Sequence, residues 1–503
     1  MRMKFCSLIL LLASGLSYSS TNDLPTSSPE AQGIDSAQLN AALKEIQKSG
    51  KPIDSILIMR NGYIVLDSYF YPYQPNTLHD LRSVTKSVTS TMLGISIQQD
   101  KLKGLDQPMR PFFAEQLKGD IDPRKAAITL GNLVDMHSGI AWHEWPYTEQ
   151  SSAYQMIKSP DWNQFVLTQK MDDKPGRTFN YNGGNMNLLS EVIQQAWGKP
   201  MQDVAQQQLF KPLGITQFTW GKSPQGQTIG EADLMLKPHD LARLGQLWLQ
   251  DGVWQGERLL PVGWTANLVA DAKAAQTYAY RRGFWLNLGQ QYFQAAGRHG
   301  QFIRVDPTQQ LVIVTTGRIP DQNIDESTLN QLHQLAKNSS PLPANTAAEA
   351  QLTETIRALG SSPEVSNTRD LGKNWYNKTW RFAAKPWGIE AINIKPDPKD
   401  DGALIWEVDW KGDWLAKGKN IWPVGIDGAY RSKPDSSANN LKLHARGRWL
   451  NETTLELTTR YNEGSTYWKY AFKFNKNSVD LKYTDDEYNS GQATGHLVTS
   501  PKD

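Results

Sequence analysis

Ser83-Val84-Thr85-Lys86 is the only Ser-x-x-Lys tetrapeptide in the chain. At the start of a helix this spacing places both side chains on one face, one turn apart. The Ser83 hydroxyl then lies near the positive helix end, which favours developing negative charge. Lys86, if desolvated and neutral, can accept the hydroxyl proton and make the serine a nucleophile. A second segment, Phe179-Asn180-Tyr181-Asn182-Gly183-Gly184-Asn185, follows Pro175-Gly176 and precedes Leu188-Leu189. Its turn residues present Tyr181 at a loop tip just ahead of a helix. A tyrosine hydroxyl titrates at about 10, and two neighbouring cations would lower that value enough to make it a base. The third segment, Gly297-Arg298-His299-Gly300-Gln301, is placed on a strand. There Gly300 lets a ligand approach the backbone, and Arg298 supplies a permanent cation. Taken singly, each fragment also fits a structural role: a capped helix with a surface lysine, a tyrosine in a Gly-rich turn, an arginine on an edge strand.

These residues need elements to hold them. Ser55-Ile-Leu-Ile-Met-Arg and Tyr63-Ile-Val-Leu-Asp-Ser-Tyr-Phe flank Asn61-Gly62, a strong hairpin signal because both turn residues must accept positive φ. Ser36 to Lys48 and Ser83 to Gln99 have helical periodicity. A mainly helical middle extends to about residue 270 and includes Leu130 to Met136, Leu188 to Trp197 and His239 to Gln250. Strand character returns at Gly283 to Leu288. A second hairpin is expected over Gln301 to Val305 and Leu311 to Thr316, with its turn at Asp306-Pro307, and a closing helix over Asp325 to Lys337. Strands from both ends of residues 30–337 thus assemble one sheet around a helical insertion, an α+β layered fold. Residues 338–362 form a linker with a short helix near Ala348 to Leu359. Residues 363–503 show short alternating runs spaced by turn residues, the pattern of an antiparallel barrel or sandwich. Its tryptophans, Trp375, Trp380, Trp406, Trp410, Trp449 and Trp468, suit core packing better than a binding face.

The chain has 503 residues and a net charge of +2, with no basic run, so it lacks the electrostatic footprint of a nucleic-acid binder. Arg2 and Lys4 precede a short apolar run from Phe5 to Leu12, and small residues follow; residues 1–19 have the form of an export signal. That run is too short to span a bilayer. The one cysteine, Cys6, lies inside it, so the mature chain has no thiol for disulfides, metal sites or catalysis. A periplasmic or secreted location follows as the expectation. His143-Glu144 lacks the second histidine of a zinc-protease helix, and no Gly-x-Ser-x-Gly elbow occurs. No metal or organic cofactor is called for.

The order of the three segments resembles the signature of class C β-lactamases, DD-peptidases and related esterases. Leu81-Arg82-Ser83-Val84-Thr85-Lys86-Ser87 is similar to the nucleophile segment of that family, and Ile128-Thr129-Leu130 through Met136-His137-Ser138-Gly139 to the segment that follows it. His239-Asp240-Leu241-Ala242-Arg243-Leu244-Gly245 resembles a later helix. Tyr181-Asn182-Gly183-Gly184-Asn185 most resembles the 6-aminohexanoate-dimer hydrolase branch. The resemblance covers roughly residues 30–337. It implies that Ser83 is acylated, that Lys86 and Tyr181 handle its proton, and that the backbone N–H groups of Ser83 and Gln301 form an oxyanion hole. Arg298, Gly300, Gly183 and Trp142 would contact substrate, with Trp142 and Trp145 near the entrance. Two departures stand out. Gly183 replaces an Asn that helps hold the substrate amide, and Arg298 replaces a Lys or His. Both favour a carboxylesterase or amidase on small substrates over a true β-lactamase or DD-peptidase. The rival class is a non-catalytic binding or sensor protein that keeps the fold. A third reading gives the functional role to the β-rich residues 363–503, as a carbohydrate-binding module.

Overall fold

The computed structural model describes residues 24–118, 122–146, 148–275, 279–319, 326–363, 365–384, 388–411, 418–434, 442–461, 467–485 and 490–499. The export-signal expectation for residues 1–19, Cys6 included, lies outside them. The chain combines helices and sheets: a layered unit of one sheet between helices and a closed C-terminal barrel.

The first sheet has seven antiparallel strands in the spatial order Tyr63–Tyr69, Ile53–Arg60, Leu311–Gly317, Gln301–Asp306, Tyr292–Gly297, Phe284–Asn287, Tyr280–Arg281. N-terminal strands therefore lie beside strands from beyond residue 280, as the two separated hairpins imply. Asn61 (φ 52°) and Gly62 (φ 84°) make the first turn in the left-handed region. Every residue of Ile53–Arg60 is buried, so this strand is covered on both faces. The helices Ser36–Lys48, Ser327–His333 and Thr346–Leu359 pack their apolar residues with one face. The helices Val84–Gln98, Gly183–Trp197 and Pro238–Leu249 lie on the other. Gly245 allows the last of these to approach: a Cβ there would meet Val312 Cγ1 at 2.4 Å.

Helix Val84–Gln98 is buried almost throughout, although it is rich in Ser and Thr. Its hydroxyls explain the choice of residues. Ser87 and Ser90 donate to Gly283 O (2.6 Å) and Arg282 O (2.5 Å), and Thr89 donates to Gly230 O (2.7 Å). Buried hydroxyls must find partners, and here they fasten two distant loops to the central helix.

Beyond the helix Thr346–Leu359 the described strands form one ten-stranded sheet, nine strands of which curl until Gly418–Gly425 meets Lys442–Asn451 in a parallel contact, closing a barrel. Trp380, Trp406 and Trp449 are fully buried inside it with Phe472 and Phe474, which confirms the packing role expected of them. Arg460, on Thr454–Tyr461, reaches the first unit. It donates to the Tyr73 hydroxyl (3.0 Å) and to the Tyr430 hydroxyl, and stacks on the Tyr430 ring (4.5 Å). Tyr73 in turn lies under Arg318, which pairs with Asp54 at 3.3 Å; Asp54 also faces His79 at 3.5 Å. Burial would raise the Asp54 pKa, but Arg318 and His79 outweigh it and hold the carboxyl below its ordinary value. His79 stands four residues before Ser83.

Removing the Arg460 cation would leave two hydroxyls short of a donor. Arg460→Met is expected to cost about 2 kcal/mol, seen as a lowered midpoint in thermal unfolding of the full chain. An unchanged midpoint would show that the barrel docks without this contact.

Candidate active site

Arg82 is held at φ 49°, a conformation that reverses the chain just before the central helix. Its own N–H and guanidinium are fastened to Asp80, both at 3.0 Å. Ser83 becomes the N-cap of Val84–Gln98, without a capping bond from its side chain. The hydroxyl instead accepts from Lys86 Nζ at 3.1 Å. Lys86 also donates to Glu231 O (3.0 Å), lies 3.8 Å from Glu231 Oε2, and sits 5.1 Å from the centre of the Tyr181 ring. Ser83 and Lys86 both act on the Tyr181 hydroxyl in the direction that lowers its pKa.

The loop carrying Tyr181 is pinned from both sides. Asn180 N donates to Met136 O (2.8 Å) and Asn180 Nδ2 to Trp142 O (3.1 Å), so the Met136–Trp142 segment acts as its anchor. Asn182 caps the following helix by accepting from Asn185 N at 3.2 Å. Trp285 stacks on the Tyr181 ring at 5.5 Å, and Tyr280 meets its edge at 5.9 Å. The ring has little room to turn.

Burial would lower the Lys86 pKa, but Tyr181, Glu231 and Glu144 outweigh it and raise the value above that of an ordinary lysine. Burial raises Tyr181, and Lys86 offsets only part of that. These directions correct the expectation of a neutral lysine and of a tyrosine lowered by two cations. Both directions favour an ammonium on Lys86 and a neutral phenol on Tyr181. Arg298 is not the second cation at Tyr181: its guanidinium lies 4.8 Å over the Trp145 ring. The segment Arg298–Gly300 is also not strand but the tight turn joining Tyr292–Gly297 to Gln301–Asp306, with His299 at φ 67°. Gly300 (φ 90°) serves that turn, its Cβ direction aimed at Ile319. Gln301 follows the turn, and the paired Gly297 packs so closely on the nucleophile segment that a Cβ would sit 2.5 Å from Leu81 O.

Two carboxylates join the site that no motif placed there, Glu144 and Glu231. Glu144 accepts from Trp142 Nε1 (2.5 Å) and from Gly183 N (3.1 Å), so the buried Trp142 orients an acid, while Trp145 is exposed. Glu231 reaches the space beside Gly183: a Cβ on Gly183 would lie 1.7 Å from Glu231 Oε2 and 3.3 Å from Glu144 Oε1. Burial, with Glu144 and Asp233 nearby, pushes the Glu231 carboxyl up to about 7 against the pull of Lys86. No motif marks Gly230-Glu231-Ala232-Asp233. The signal lay at Gly183, whose missing side chain leaves space for another group. Among the described residues no His/Cys/Asp/Glu cluster suits a metal ion, and no helix is long and apolar enough to cross a membrane.

Residues 39–337, more than half of the chain, match the beta-lactamase family. The chain belongs to that family. A relative in Paenarthrobacter ureafaciens, 6-aminohexanoate-dimer hydrolase, is 24% identical over 293 residues, covering 53% of this chain and 73% of its own. Protein flp of Staphylococcus aureus is 26% identical over 183 residues, 34% of this chain and 35% of that protein. A solved Bacillus anthracis structure, provisionally assigned as a 6-aminohexanoate-dimer hydrolase, superposes with a TM-score of 0.50 at 18% identity, over 67% of this chain and 89% of that one. That likeness supports the fold. In this chain the Ser-x-x-Lys pair opens a helix, and the space that a side chain at position 183 would fill holds the Glu231 carboxyl.

Gly183→Asn should therefore overpack the site and lower stability by about 1–3 kcal/mol. Adding Glu231→Ala should restore most of the loss. Thermal unfolding of both variants decides; an undisturbed single variant would mean that Glu231 moves aside at little cost.

Proposed function

We propose that the chain is a serine hydrolase that cleaves small esters or amides through a covalent acyl-enzyme on Ser83. The observation carrying this reading is the 3.1 Å contact between the buried Lys86 Nζ and the half-buried Ser83 Oγ, with the half-buried Tyr181 ring 5.1 Å from the same ammonium. A structural capped helix does not need a buried ammonium aimed at its capping hydroxyl, and burying that charge costs several kcal/mol before compensation.

Ser83 Oγ attacks the substrate carbonyl while its proton passes into the Lys86–Tyr181 pair. The backbone N–H groups of Ser83 and Gln301 receive the oxyanion. Tyr181 returns a proton to the leaving group, and water then releases the acyl group from Ser83. Arg298, resting over Trp145, is suited to meet a substrate carboxylate at the entrance. Gly183 and Gly300 shape the pocket floor, and Trp142 acts through Glu144. The Glu231 carboxylate beside Gly183 presents an acceptor where an amide side chain would offer a donor, which weighs against β-lactams and linear peptides. Residues 30–337 form the hydrolase unit and 363–503 the appended β unit. The N-terminal segment directs the protein to the periplasm or the exterior.

Intact mass after treatment with a fluorophosphonate probe tests the reading. One adduct is expected on the wild type and none on Ser83→Ala. Lys86→Ala and Tyr181→Phe should each slow labelling by roughly 10²–10⁴-fold. A folded wild type that takes no adduct would turn the assignment to a binding protein.

A further inference from the structure

The proposed mechanism leaves one buried ionisable group at the nucleophile without a task. Glu231 Oε2 stands 3.8 Å from Lys86 Nζ, while the backbone oxygen of the same residue accepts from that ammonium at 3.0 Å. The segment is fixed in place: Thr89 donates to Gly230 O (2.7 Å), and Gly230 N donates to Asn187 Oδ1 (2.9 Å). The space for the carboxyl exists only because residue 183 lacks a side chain. Glu144, held by Trp142 and Gly183 N, reaches the same space. Two acids that share one buried cation do not both stay ionised at low cost, so one tends to keep a proton.

We propose that Glu231 is the proton-accepting partner of Lys86, the group that converts the resting ammonium into the free amine able to activate Ser83. This rests on the serine-hydrolase reading and deepens it. The step balances as follows. One proton moves from the Lys86 ammonium to the Glu231 carboxylate, leaving a neutral amine and a neutral carboxyl. The amine takes the Ser83 hydroxyl proton as Oγ bonds to the carbonyl carbon, whose π pair moves to the oxygen. When the intermediate collapses, the leaving group departs with its bonding pair and takes the Tyr181 proton. Lys86 reprotonates Tyr181, and Glu231 returns its proton to Lys86.

The groups facing this pair are Tyr181 and Asn187 from the tyrosine loop and its helix, Glu144 from the loop after Ile140, and Asp233 from the same segment, itself close to Asp80 and Arg82. They hold the Glu231 carboxyl at about 7, so it becomes able to accept a proton as the solution passes neutrality.

The test is the pH profile of fluorophosphonate labelling, with folding checked by thermal melts. Wild-type labelling should rise through neutral pH. In Glu231→Gln that limb should vanish, with labelling near neutrality falling about tenfold or more and recovering only at alkaline pH, where solvent removes the Lys86 proton. Glu144→Gln, which removes the like charge, should move the wild-type limb to lower pH, and it carries the test if Glu231→Gln does not fold. A Glu231→Gln profile that keeps its neutral limb, or falls by one factor at every pH, overturns the proposal, as does an unmoved limb in Glu144→Gln. A wild type that never labels would instead sink the hydrolase reading.

Discussion

A primary ammonium buried in the middle of a protein sets the terms for the structure around it. Lys86 is 2% exposed, and removing its charge from water is expensive unless every donor finds a partner. Those partners come from three separate stretches: Ser83 one turn before it, Tyr181 on a loop tip, and Glu231 in a bend that the sequence places 145 residues later. Each needs its own support. The left-handed Arg82 turns Ser83 to face Lys86, the Met136–Trp142 segment anchors the tyrosine loop, and hydroxyls along the central helix hold Gly230 and Gly283. The seven-stranded sheet, buried under helices on both sides, is the rigid surface on which these arrangements rest.

The acids near Lys86 set the charge balance of this site. A glycine at position 183 is not simply a loss of a contact: its space is filled by the Glu231 carboxyl, with Glu144 beside it. The same exchange makes the local charge balance depend on where a proton rests. The packing at position 183 and the charge around Lys86 are thereby joined, since anything that displaces Glu231 also changes the environment of Lys86.

Much of this was legible in the residues, and the failures have physical causes. Local patterns transferred well: Asn61-Gly62 makes its hairpin, the Ser-x-x-Lys pair opens its helix, and the alternating tryptophans fill a barrel. The closing helix ends at His333 and tightens into a 3₁₀ turn over Gln334–Ala336, short of the expected Lys337. The third segment was placed on a strand because Gly and Arg permit one; a left-handed His299, an uncommon conformation for a non-glycine residue, made it a turn. Protonation states were misjudged because burial depth cannot be seen in a sequence, and burial dominates at Tyr181. Glu231 carries no local pattern at all; only the fold brings it to Lys86.

The most direct measurement of the account is a crystal structure of the enzyme after reaction with a phosphonate ester. The account predicts phosphorus bonded to Ser83 Oγ, its free oxygen accepting from the backbone N–H groups of Ser83 and Gln301, and Lys86 and Tyr181 still in contact with Oγ. An adduct on another residue, or a phosphonyl oxygen turned away from Gln301, would contradict it.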